Sequence, residues 1–138
     1  MASLESYRNK AFVDFCTQVL AEFAQDTNGV QDVILATSDG FAVATNNVDN
    51  QSGDKLSAVG SSLFALGSSL VSEFDLEECS AITIDSSKGK VYIREISPNK
   101  DSSLILMVKA NKATMLAHML HGANKAAERI AKRMLLLS

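Results

Sequence analysis

Along residues 7–26, apolar side chains return every third or fourth position: Phe12, Phe15, Cys16, Val19, Leu20 and Phe23. Asp14, Gln18, Glu22 and Asp26 occupy the other side. That period predicts an amphipathic helix, and Asn28-Gly29 offers it a left-handed stop. The pattern then shortens to strand-like runs. Val33–Thr37 and Phe41–Thr45 flank Ser38-Asp39-Gly40, and an Asp-Gly between two such runs predicts a hairpin. A polar loop, 46–53, leads to Asp54 as the expected N-cap of a helix over 54–74. Two more runs, 79–85 and 90–96, alternate with period two around a Ser-Ser-Lys-Gly turn. After a turn at Pro98-Asn99, Leu104–Val108 is apolar throughout, as in a central strand covered on both faces. Residues 113–134 close the chain as a helix, with Met115, Leu116, Met119, Leu120, Ala123, Ala127, Ile130 and Met134 on its apolar side. The expected order is α-β-β-α-β-β-β-α. Local hairpins make the sheet mainly antiparallel, and helices cover its faces.

The helix over 54–74 raises a question of its own. Gly60 and Gly67 are each followed by Ser-Ser-Leu, and no charge occurs between Leu56 and Ser72. A mid-helix glycine costs about 1 kcal/mol relative to alanine, and a soluble helix normally carries one charged side. Leu56, Val59, Leu63, Leu66 and Leu70 form one apolar stripe, while Gly60, Phe64, Gly67, Val71 and Phe74 form a second. A sheet covers one side of a helix only. The other side therefore needs either an element of the same chain or the same helix of a twofold-related copy. The copy is the expected solution, with the small residues as points of close approach.

Composition narrows the class without changing that picture. The 138 residues, 46% of them hydrophobic, suit one domain over 1–138 with an adequate core. A net charge of −3 argues against general nucleic-acid affinity. The two cysteines, Cys16 and Cys79, make neither a disulfide scaffold nor a metal site, and suit a reducing cytoplasm. The N-terminus lacks the apolar run of a signal peptide. The uncharged stretch 56–72 is shorter than the roughly 20 apolar residues of a membrane span, so no membrane insertion is expected.

Catalytic chemistry finds no foothold. There is no phosphate-binding loop or dinucleotide fingerprint. Gly60-Ser61-Ser62 lies inside a helix rather than on the strand-to-helix elbow of a serine nucleophile. His118 and His121 are two ligands without a third, so neither metal nor cofactor is expected. Nothing local marks Arg94, Arg129 or Arg133 for catalysis. The basic end of the last helix, Lys125, Arg129, Lys132 and Arg133, complements the helix dipole.

Taken in order, "VILATSDGFAVAT", "LSAVGSSLFALGSSLVSEF", "AITIDSSKGKVYIREI", "SLILMVKA" and "AAERIAKRM" resemble the Roadblock/dynein light chain family, in particular its bacterial members. The resemblance implies a profilin-like α/β/α sandwich with a five-stranded antiparallel sheet. It further implies a homodimer built on 55–74 and 79–85, acting as a non-enzymatic regulator or scaffold of a small Ras-like GTPase. On that reading the interface comprises Val59, Gly60, Ser61, Leu63, Phe64, Gly67, Ser68, Val71 and Phe74, with Cys79, Ala81 and Thr83 from the following strand. The rival expectation is a small-molecule-sensing α/β/α domain with no GTPase partner.

Overall fold

Asn9 decides where the first long helix begins. Its side chain accepts a hydrogen bond from the Phe12 backbone N–H at 3.1 Å, a capping contact that splits the N-terminal segment in two. In the computed structural model, which describes residues 4–137, the elements are α1 (Leu4–Tyr7), α2 (Lys10–Asp26), β1 (Val30–Thr37), β2 (Ala42–Asn46), α3 (Asn50–Glu73), β3 (Ala81–Ser86), β4 (Gly89–Asn99), β5 (Ser102–Asn111) and α4 (Leu116–Met134). The single helix expected over 7–26 is thus a short turn followed by a longer helix.

The five strands form one antiparallel sheet in the order β2-β1-β5-β4-β3. β5 lies at its centre, which explains its unbroken apolar run. Leu104, Leu106 and Val108 point toward a core with Phe12, Leu20, Met119 and Ile130, beneath α2 and α4. Ile105 and Met107 point the other way and join Ile34, Ala36, Phe64 and Ile93 beneath α3. The result is the expected α/β/α sandwich, with two helices on one face and a single helix on the other.

Several boundaries move, each for a local reason. Asp49, not Asp54, caps α3: its carboxylate accepts from the Ser52 N–H at 2.8 Å, so the helix starts a turn earlier. In the first hairpin Gly40 has φ +100°, and Phe41 belongs to the turn, its carbonyl accepting from the Thr37 N–H at 2.8 Å. β4 continues past Pro98 to Asn99 with an irregularity after Ile96, and the chain reverses at Lys100-Asp101 instead. Cys79 precedes β3, which begins at Ala81. α4 starts at Leu116 rather than 113, so Met115 and Leu116 are exposed at its entrance and are not core residues.

Candidate interaction face on α3 and β3

The side of α3 that meets the sheet is its small side. Gly53, Ser57, Gly60, Ser61 and Phe64 are its buried residues. A methyl group on Gly60 would clash with Met107, coming within 2.6 Å of Cε, and one on Gly67 would come within 2.6 Å of Ile82 Cδ1. The glycines therefore let α3 lie close on β5 and β3 of its own chain. The Ser61 hydroxyl donates to the Thr37 carbonyl at 2.9 Å, tying the helix to the first hairpin. Ser68 and Ser69 donate to the carbonyls of Phe64 and Ala65 one turn back, which satisfies those hydroxyls without a partner molecule.

The opposite assignment falls to the leucine stripe. Leu56, Val59, Leu66, Leu70 and Phe74 are exposed, with Val59 at 58% and Leu66 at 67%, and Leu63 is half-buried beside them. The row continues onto the sheet at Ile84 and Val91. Between α3 and the sheet runs an apolar groove of about 270 Å³, lined by Leu56, Val59, Leu63, Ile84, Val91 and Met107 among others. β3 borders it as an edge strand paired only with β4. One face of the molecule thus combines an unpartnered apolar helix side with an open strand edge, a combination rare on a monomer's surface.

The residues expected at the interface consequently divide. Val59 and Phe74 lie on the outward row, with Leu63 and Val71 half-buried at its margin. Gly60, Ser61 and Phe64 are buried against the chain's own sheet, and Gly67 and Ser68 are half-buried on the inward side. Cys79 lies half-buried beside Gly67, while Ala81 and Thr83 alternate with Ile82 along β3 and face the other side of the sheet. Leu56, Leu66, Leu70, Ile84 and Val91 stand on the exposed apolar row but outside that expected set. Their signal was available in the contrast between the stripes, because the small residues belong where a backbone approaches closely and the large ones are left outside.

Chemistry elsewhere is quiet. Burial pushes the Cys16 thiol up to about 12, which keeps it protonated and unreactive. Arg94 donates to Asn124 Oδ1 at 2.7 Å, Arg129 to Glu22 Oε2 at 2.5 Å, and Arg133 stacks over the Phe15 ring at 4.7 Å. Each of these arginines is thus engaged within its own fold. His118 and His121 line a groove between α2 and α4 with Glu22, Asp26 and Lys125. The described residues hold no group of three or more His, Cys, Asp or Glu arranged to bind a metal, and no helix among them is long and apolar enough to cross a membrane.

Comparison with known proteins fits this geometry. Solved structures with the same fold include a Roadblock/LC7 domain from Streptomyces avermitilis, 17% identical with a TM-score of 0.78, covering 86% of this chain and 97% of the other. Myxococcus xanthus MglB is 17% identical with a TM-score of 0.80, covering 100% and 96%. The gliding protein MglB from Thermus thermophilus is 18% identical with a TM-score of 0.75, covering 89% and 93%. No curated protein matches the sequence significantly. The sequence profile of the Roadblock/LC7 domain matches residues 17–110, well over half of the chain, and the protein belongs to that family.

Proposed function

We propose that this protein is a non-enzymatic homodimer that binds a small Ras-like GTPase as a regulator or scaffold. The observation that supports it best is the outward row Leu56–Val59–Leu66–Leu70, continuous with Ile84 and Val91 beside an open strand edge. Two copies related by a twofold axis would bury these rows against each other and bring two β3 edges together. Each leucine so covered contributes about 25 cal/mol per Å² of apolar surface removed from water. Val59, Leu63, Val71 and Phe74 remain in the proposed interface. Gly60, Ser61, Phe64, Gly67 and Ser68 support it from beneath by seating the helix on the sheet, and Cys79, Ala81 and Thr83 lie along the joining edge.

The GTPase reading rests on family membership together with the absence of any catalytic constellation among the described residues. The chain contributes surface, and the nucleotide site and hydrolysis belong to the partner. The free cysteines Cys16 and Cys79 suit a reducing compartment, and we place the protein in the cytoplasm. The test is capture of a purified small GTPase from the same genome, loaded with a non-hydrolysable GTP analogue or with GDP. Retention that depends on the nucleotide supports the proposal, and equal failure with both nucleotides across the candidate GTPases contradicts it.

One observation favours the rival reading. The 270 Å³ groove is apolar and opens on the same face, as a ligand pocket would. A ligand for it would raise the thermal midpoint of the isolated protein. A small apolar compound that does so without dissociating the dimer would speak for a sensor.

A further inference from the structure

Charge on α3 is confined to its two ends. The first charges on either side of the apolar stretch are Lys55 before it and Glu73 after it, both exposed. They stand eighteen residues apart, five full turns, and so project from one side of the helix. None of the ion pairs among the described residues uses either of them. Asp54, the other charge at the N-terminal end, lies about 100° farther round the helix, away from the leucine row. Of the acids after Glu73, Asp75 lies past the helix end, and Glu77 and Glu78 line a hollow with Lys100 of their own chain. At the mouth of the apolar groove, Asp32 and Lys109 already pair with each other at 3.5 Å.

The row between Lys55 and Glu73 is centred on Leu63. Leu56 and Leu70 lie seven residues to either side of it, with Val59 four before and Leu66 three after. Gly67 packs on Ile82, and Leu63 shares the groove with Ile84, so the middle of β3 lies beneath the middle of α3. Under the pairing proposed above, this arrangement selects one kind of symmetry. A twofold axis that joins two β3 edges and keeps both α3 helices on the same side of the joined sheet runs normal to that sheet. It makes the two strands antiparallel, and the two helices antiparallel as well.

Resting on that pairing, we propose that it has a single register, set by Lys55 and Glu73 as its specificity-determining residues. Leu63 sits on the twofold axis, Leu56 of each chain meets Leu70 of the other, and Lys55 of each chain meets Glu73 of the other. Arranged this way, the dimer gains two contacts between opposite charges. A parallel pair would instead set Lys55 against Lys55 and Glu73 against Glu73, and a slip of one helical turn would draw each contact apart by about 5 Å. A second copy is the occupant because the row is balanced about its own centre, with a base at one end and an acid at the other. Reversed end for end, the same surface supplies its own complement.

Disulfide trapping reads the register. In a Cys79→Ala background, where the remaining Cys16 is buried, Leu63→Cys should cross-link to its own counterpart across the axis. Leu56→Cys and Leu70→Cys should each stay uncross-linked alone, because seven residues on either side of the axis put two copies of one position about 20 Å apart. A chain carrying both should cross-link. Charge reversal is the second arm and touches only exposed positions, so it stands if a cysteine variant fails to fold. Lys55→Glu or Glu73→Lys should raise the dimer dissociation constant about threefold or more at low salt. Both reversals in one chain should bring it back to within about twofold of wild type, and about 0.5 M salt should erase the differences. Circular dichroism checks that each variant is folded.

Self-cross-linking of Leu56→Cys or Leu70→Cys would mean a parallel pair and would overturn the proposal. So would a Leu63→Cys protein that sediments as a dimer yet stays uncross-linked. Single reversals without effect, or a double reversal that fails to recover what they lose, would overturn the role given to Lys55 and Glu73. Sedimentation mass in the same samples separates this from the pairing itself. A monomeric wild type overturns the pairing and the register together, whereas a dimer trapped through other positions overturns the register alone.

Discussion

Ser57 and Ser61 sit one turn apart on the buried side of α3, and only one has a partner. The Ser61 hydroxyl reaches the Thr37 carbonyl, whereas the Ser57 hydroxyl is buried with no hydrogen-bond partner among the described residues. The same substitution should therefore have opposite effects at the two positions. Ser57→Ala removes an unpaired buried hydroxyl and adds a better helix former, and should stabilise the fold by about 0.5–2 kcal/mol. Ser61→Ala should cost about 1 kcal/mol and no more, because the Thr37 carbonyl keeps its bond from the Gly40 N–H. Urea unfolding of the two variants measures both. Gly60→Leu would force a side chain into Met107 and should cost at least about 1–3 kcal/mol by overpacking, against a gain in helix propensity of about 1 kcal/mol. A stable Gly60→Leu protein would mean that α3 does not lie so close to β5.

At the scale of elements, much was legible in the sequence. Short apolar or alternating runs locate all five strands, and period-3.6 runs locate the three long helices. The boundaries were less legible, since capping is a local competition. Asp49 and Asp54 are both good N-cap residues, and Asp49 prevails because the chain from 50 onward can pack Gly53 against Thr45 and Val48. The Asp49 carboxyl is held below its ordinary range, first by the hydrogen bond from the Ser52 backbone N–H. A depressed carboxylate stabilises the fold fully above its unfolded value of about 3.9 and loses that contribution as pH falls through the lower folded value. Asp49→Ala should accordingly lower the thermal midpoint at neutral pH, with the deficit shrinking below about pH 3.9. Asp49→Asn should keep most of the cap at either pH. The face of α3 was the hardest feature to read. Both stripes are apolar at helical spacing, and only the steric fact that Met107 and Ile82 fill the space above Gly60 and Gly67 decides which one turns inward.

The whole molecule is asymmetric in how its sheet is covered. Two helices close one face, and the single helix α3 leaves the other with an apolar groove beside an open edge. That asymmetry was legible only as a missing charged side on one helix. Its extension onto Ile84 and Val91 depends on a strand order that brings β3 to the sheet edge. In the proposed account this face pairs two chains, and the pair is what a GTPase meets. The most direct measurement is the mass at sedimentation equilibrium in about 0.5 M salt, where charge-driven contacts are screened. Wild type should give twice the 14.8 kDa chain mass. A folded Val59→Asp, Leu66→Asp variant should give the mass of one chain, because each protomer would place two carboxylates in an apolar contact. A wild-type protein that remains at the single-chain mass, or a variant that still sediments as a dimer, would contradict the assignment of this face.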